Sequence, residues 1–306
     1  MKHSVKITLL LLAMFFVTQL IGIAVISSYS PQTTQVTTES GEIINVTNYN
    51  LPYGLEPPKE INPKESLISI LIAFGIAITL MLIMMRFRAE IFLRLWFFFV
   101  VTLALGVTLN AISLQFGLPT LLALTLALPL AFLKIFKRNI IVHNLTELAI
   151  YPGIAAIFVP LLSIWTVVLL LILISLYDMY AVWHSGFMQK MAKFQIQKLR
   201  IFSGFFVPYL GKHQKQKLSK LSKSKLKDKK IRISVAILGG GDVVFPIILA
   251  GVVLRQLGFV QAIIIALGAS IALAGLLFLS EKGKFYPAMP FITTGCFIAL
   301  AFSYLL

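Results

Sequence analysis

Acid is scarce in this chain. Asp and Glu together number 11 in 306 residues, and charged residues of both signs make up only 12%, against about 25% in a soluble globular domain. That scarcity excludes a water-soluble enzyme, a disordered chain and a coiled coil. Cysteine is nearly missing: Cys296 stands alone, which excludes an intramolecular disulfide and a cysteine-based zinc site. The four histidines, His3, His143, His184 and His213, are scattered without ligand spacing, so no metal is expected. No HExxH, GxSxG or phosphate-binding GxxxxGKS/T segment occurs, and Ser and His do not pair at membrane depth; His184 reads as an interfacial residue just past a span. No cofactor is called for.

Apolar residues fill the space, at 58%. A bilayer-crossing helix needs roughly 20 mainly apolar residues, and nine such stretches stand out. They run from about Ile7 to Ser27, Leu67 to Met85 and Leu95 to Phe116, then from the Gly117-Leu118-Pro119 turn to Phe136. The fifth runs from Asn139 to Phe158, and a break at Pro160 leads into the sixth, Leu161 to Trp183. The last three are Ile233 to Leu254, Phe259 to Leu279 and Pro287 to Leu306. The expected fold is all-α, one polytopic membrane-embedded domain over residues 1–306 with nine transmembrane helices. The first stretch is read as an uncleaved helix: it is longer than a signal-peptide core, and Ser27-Ser28-Tyr29-Ser30 is a poor cleavage site.

The net charge of +16 records orientation. Lys2 and Lys6, Arg86, Arg88 and Arg94, Lys134, Lys137 and Arg138, and Lys282 and Lys284 all fall on one side of a nine-span chain. By the positive-inside rule that side is cytoplasmic, so the N-terminus lies inside and the C-terminus outside. Residues 29–66 then form an external loop rich in Thr, Asn, Ser and Pro, expected to be a solvated connector; Asn45-Val46-Thr47 is a glycosylation sequon on the matching face. Residues 184–230 lie inside and hold thirteen Lys/Arg against one acid, Asp228. Met188 to Phe206 interleaves basic and apolar residues, as an amphipathic helix on anionic lipid head groups does. The Lys-rich stretch carries no base-stacking aromatics, so nucleic acid is not an expected partner.

A carboxylate within a bilayer is costly and marks function by default. Asp178, in Leu176-Tyr177-Asp178, lies near the cytoplasmic end of the sixth span, and Asp242 ends the run Gly239-Gly240-Gly241 in the seventh. Glu147, near the cytoplasmic end of the fifth span, reads as structural, reaching head groups or a neighbouring Lys. The two aspartates sit on sequential antiparallel spans entered from the same side. Their depths differ by several Å, which tilt or unwinding at the glycines would absorb, and Pro246 weakens the same helix further. Two carboxyls sharing a site hold one proton between them; one takes a proton from water while the other protonates a scissile carbonyl. A proton-coupled transporter or cation-leak channel also uses intramembrane acids and broken helices, but no second copy of either segment occurs in the first six spans. A non-catalytic membrane scaffold is the third alternative.

These residues resemble a known pattern. Tyr177-Asp178 is similar to the YD motif, and Gly239-Gly240-Gly241-Asp242 to the GxGD motif, of the GxGD intramembrane aspartyl proteases. Pro287-Ala288-Met289-Pro290 resembles their PAL motif, with Met289 where the family has Leu, a swap of similar volume. The resemblance covers most of the chain and implies cleavage of single-span membrane proteins inside the bilayer, with Asp178 and Asp242 catalytic. It implies that Pro287, Ala288 and Met289 shape the substrate site, with Pro287 and Pro290 framing an extended helix start to which an unwound substrate adds as a β-strand. Gly239 and Gly241 would permit close approach of the aspartate helices or a local opening, and Tyr177 would orient Asp178 or line the cavity. Of the two branches with these motifs, the basic loop between the aspartate helices points to the presenilin one. The short chain resembles compact microbial, particularly archaeal, homologues in the cell membrane, which need no obligate partner subunits.

Overall fold

The computed structural model describes residues 5–37, 43–48, 50–56, 63–86, 90–137, 139–185, 203–209, 234–281 and 286–305. Among these are nine α-helices: α1 Val5–Ser28, α2 Pro63–Arg86, α3 Glu90–Gln115, α4 Thr120–Phe136, α5 Ile140–Phe158, α6 Ile164–Tyr180, α7 Gly240–Gln256, α8 Phe259–Leu279 and α9 Met289–Ser303. Five segments are long and apolar enough to cross a membrane: 5–28, 91–115, 140–161, 164–183 and 259–279. The helices α4, α7 and α9 have 17, 17 and 15 residues, near the lower limit for a span.

Local chemistry sets the helix ends. Gly117 takes φ +62°, a left-handed value that suits glycine, and turns α3 into α4 with Pro119 at the N-cap. Asn139 caps α5 by accepting from the Ile141 and Val142 amides. The Pro160 break is a 3-10 turn over Val159–Leu161, after which Ser163 and Thr166 form a reciprocal capping box that starts α6. Beyond Tyr180 the chain continues as a π-helical turn, Ala181–Ser185.

Helix α7 is the centre of the bundle, packed against α1, α5, α6, α8 and α9. Every residue from Pro246 to Val253 is buried, so it shows no polar face. Glycines let neighbours close in: Gly268 of α8 and Gly295 of α9 lie against each other's backbone carbonyls. Helix α1 packs on α5, α7 and α8 with Phe15 and Ile23 buried. By contrast Ile68, Ile72, Ile76 and Leu80 on α2 are all exposed.

Two hairpins depart from the all-helical expectation. The connector between α1 and α2 holds β1 Gln32–Thr37 paired antiparallel with β2 Ile43–Asn48. Its flanks are tied to α3 and α4: the Tyr29 hydroxyl donates to the Val107 carbonyl of α3 at 2.6 Å, and the Tyr53 hydroxyl donates to the Thr120 carbonyl of α4 at 3.1 Å. The second hairpin corrects two expectations. The stretch from Ile233 was read as the start of a helix, but β4 Ser234–Gly239 is a strand, paired antiparallel with β3 Gly204–Tyr209. Its apolar run finds a partner strand, and the consecutive glycines that follow favour a change of conformation over a continued helix. The amphipathic helix expected over Met188–Phe206 lies outside the described residues up to 202, and its end, Gly204–Phe206, is strand. The Lys-rich stretch from Lys212 to Lys230 lies outside the described residues.

Candidate active site

Asp178 sits in the last turn of α6 and is 5% exposed. Opposite it, α9 begins with Ala288 at the N-cap, Met289 first in the helix and Pro290 second. A helix start leaves its first amides without intrahelical partners, and it favours negative charge. Pro290 removes one of those amides. The Met289 amide donates to Asp178 Oδ2 at 3.1 Å, and the Ala288 amide also faces this carboxyl. Asp178 therefore caps α9 from another helix. One turn deeper, the Ser175 hydroxyl donates to Thr293 Oγ1 at 2.8 Å and pins α6 to α9 again.

Asp242 is held differently. Gly239 is the N-cap of α7, which makes Asp242 the third helical residue. From there its carboxyl reaches back to the Gly239 amide, the acidic half of a capping box. Because residues 234–239 are strand, Asp242 lies in the first turn of α7 and Asp178 in the last turn of α6. Both acids thus stand at helix ends, and the residues before Asp242 that were expected to continue its helix are strand. The carboxyls are close enough to interact as charges, and α6, α7 and α9 pack against one another around them.

The three glycines have distinct surroundings. A methyl group on Gly239 would lie 3.1 Å from Asp242 Oδ2. At Gly240 it would lie 2.6 Å from the Ser203 hydroxyl and 2.9 Å from Tyr151; at Gly241 it would meet only Phe245, at 3.7 Å. The tight approach is therefore that of Gly240 to α5 and Ser203, not of Gly239 and Gly241 to α6. Tyr177 is 44% exposed, and among the described residues its hydroxyl makes no hydrogen bond. Pro287 and Met289 are buried and Ala288 is half-buried, at the mouth of the α6–α9 contact.

Sequence reasoning missed several neighbours. Gln19 of α1 is fully buried and donates to the Val243 carbonyl beside Asp242 at 3.1 Å. Tyr151, 1% exposed, lies within electrostatic reach of Asp242 and beside Glu147 and Ser203. A polar residue at membrane depth was the available signal for Gln19; for Tyr151 it was the spacing of four from Glu147. Glu147 does find its neighbouring Lys: Lys134 Nζ lies 2.5 Å from Oε1, with both side chains nearly inaccessible.

The family described as signal-peptide peptidase, presenilin aspartyl protease matches residues 44–306. The chain belongs to this family. Two solved structures of a presenilin family intramembrane aspartate protease share its fold. The one in space group C222 has a TM-score of 0.59 and 16% identity, covering 97% of this chain and 98% of that one. The one in space group P2 has a TM-score of 0.58 and 17% identity, covering 96% of both chains. No curated protein matches the sequence. As a member of the signal-peptide peptidase and presenilin family, the protein is a multi-pass integral membrane aspartic endopeptidase, and its substrates are transmembrane proteins.

Proposed function

We propose that Asp178 and Asp242 are the catalytic dyad that hydrolyses peptide bonds within transmembrane segments. The observation that carries this is the placing of the two acids at facing helix ends, close enough to interact as charges. The pair shares one proton. The ionised carboxyl takes a proton from water as the water oxygen bonds to the scissile carbonyl carbon, and the other carboxyl protonates the carbonyl oxygen. The gem-diol then collapses: one hydroxyl gives its proton to the ionised carboxyl as the C=O bond re-forms, the C–N bond breaks, and the amine leaves with the proton held by the other carboxyl. These steps require no metal and no covalent intermediate.

A substrate helix must unwind before its carbonyls are open to attack, which makes turnover slow. Strand addition offsets part of that loss. Strand β4 leads directly into Asp242 and is paired with β3 on one side, with Val235 and Ile237 more than two-fifths exposed. Its other edge suits an extended substrate better than the Pro287 segment alone does. In this scheme Gly239, Gly240 and Gly241 set the Asp242 backbone. Pro287, Ala288 and Met289 hold Asp178 and wall the site, and Tyr177 lines its outer side.

The basic residues support a cytoplasmic N-terminus, a cytoplasmic loop over 184–232 resting on anionic lipid, and the presenilin branch of the family. We place the protein in the cell membrane of a microbe, acting without obligate subunits. The test is reconstitution of the purified protein with a single-span substrate. Cleavage within the span is expected from the wild type, and none from Asp178→Ala or Asp242→Ala. Cleavage that persists in either variant sinks the dyad, and ion flux without cleavage favours a channel.

A further inference from the structure

A closed polar ring joins α4 and α5 to the hairpin. His143 and Glu147 are one helical turn apart on one face of α5, with Tyr151 a turn further on. Lys134 of α4 donates to Glu147 Oε1 at 2.5 Å and lies 3.3 Å from His143 Nδ1. His143 Nε2 lies 2.8 Å from the Gly204 carbonyl, and the Gly204 amide donates to Glu147 Oε1 at 3.4 Å. One tautomer satisfies every contact: Nδ1 accepts from the Lys134 ammonium and Nε2–H donates to Gly204. Next to this ring, Asn144 embraces Phe206, accepting from its amide at 3.0 Å and donating to its carbonyl at 2.8 Å. The side chains of α5 thus bond β3 along its edge as a neighbouring strand would.

The connection to Asp242 is short. Gly204 pairs with Gly239 in the hairpin register. The Gly240 amide donates to the Ser203 carbonyl at 3.3 Å, and Gly239 caps the helix that bears Asp242. Any slip of β3 along α5 therefore moves β4 and the Asp242 carboxyl together.

We propose that Lys134, His143, Asn144 and Glu147 are positioning residues that lock β3 against α5, thereby setting which substrate peptide bond faces the dyad. The proposal rests on the dyad assignment above. None of the four touches the reacting atoms. They act through Gly204 and Phe206, and the hairpin carries their effect to the site.

The test compares His143→Leu, which loses the donor to Gly204, with His143→Gln, which keeps an amide near the Nε2 position. Each full-length variant is reconstituted with a single-span substrate. Products are mapped by mass spectrometry, and amide exchange is followed over residues 203–209 and 239–245. His143→Leu is expected to lower the rate per folded enzyme roughly 10- to 100-fold, to spread cuts onto neighbouring bonds and to speed exchange in both segments. His143→Gln is expected to restore the single cut and the slow exchange. An unchanged cut, rate and exchange in His143→Leu overturn the proposal. So does a uniform loss of all products at an unchanged bond that His143→Gln does not rescue, because plain destabilisation gives that pattern. A wild type that cuts no substrate defeats the dyad assignment instead, and the exchange measurement still decides whether the ring holds the junction.

Discussion

Asp178 and Asp242 are the same residue type in one site, yet they are fixed by opposite means. Asp178 is held across 111 residues of sequence by the start of α9. Asp242 is held within its own helix cap, and the cap is seated by a hairpin on α5. The first acid has a tertiary anchor that also satisfies buried amides, so removing it leaves those amides unpaired. The second has a local anchor, so what matters is where the junction sits.

The largest effect expected is the loss of cleavage in Asp178→Ala and Asp242→Ala, each by about 10²- to 10⁴-fold in turnover. Their stabilities should separate: Asp178→Ala strands the Met289 and Ala288 amides and lowers stability by about 1–3 kcal/mol more than Asp242→Ala. Equal melting temperatures in detergent would erase the contrast between the two anchors. Next comes Lys134→Met, which leaves Glu147 buried without its cation; a loss of about 3–5 kcal/mol is expected in chemical denaturation. Gly240→Ala presses a methyl group against Ser203 and Tyr151 and should destabilise by about 1–3 kcal/mol in the same assay. Ser175→Ala removes the second pin between α6 and α9, and a loss near 1 kcal/mol is expected, with cleavage reduced through Asp178 alone. The smallest effect belongs to Gly241→Ala, where the added methyl meets ordinary contact and stability should change by less than about 1 kcal/mol. A fall in its cleavage rate at constant melting temperature would place substrate over this glycine.

The elements most legible in the sequence were those with local punctuation. Asn139, the Pro160 break and the Gly117-Leu118-Pro119 turn set the ends of α4, α5 and α6 close to where they were expected. Both aspartates were legible because acid is rare and costly at membrane depth. The start of α7 was not. Residues 235–238 form a short apolar run, which reads equally as buried helix or buried strand. The choice was made by β3, 33 to 35 residues upstream by the Phe205–Leu238 and Gly204–Gly239 pairings. For Glu147, Lys134 was foreseeable as a neighbour across a short turn. His143 carried the same signal as Tyr151, a spacing of four from Glu147, whereas Gly204 was not foreseeable, since it arrives from a separate loop.

The docking of α9 on Asp178 also has a consequence in time. A chain synthesised only as far as residue 286 already contains both acids, but not the two amides that hold the first of them. The membrane therefore receives the unfinished protein with the anchor of Asp178 still missing. On the proposed dyad, the late insertion of the 15-residue helix α9 is what completes the anchor of Asp178.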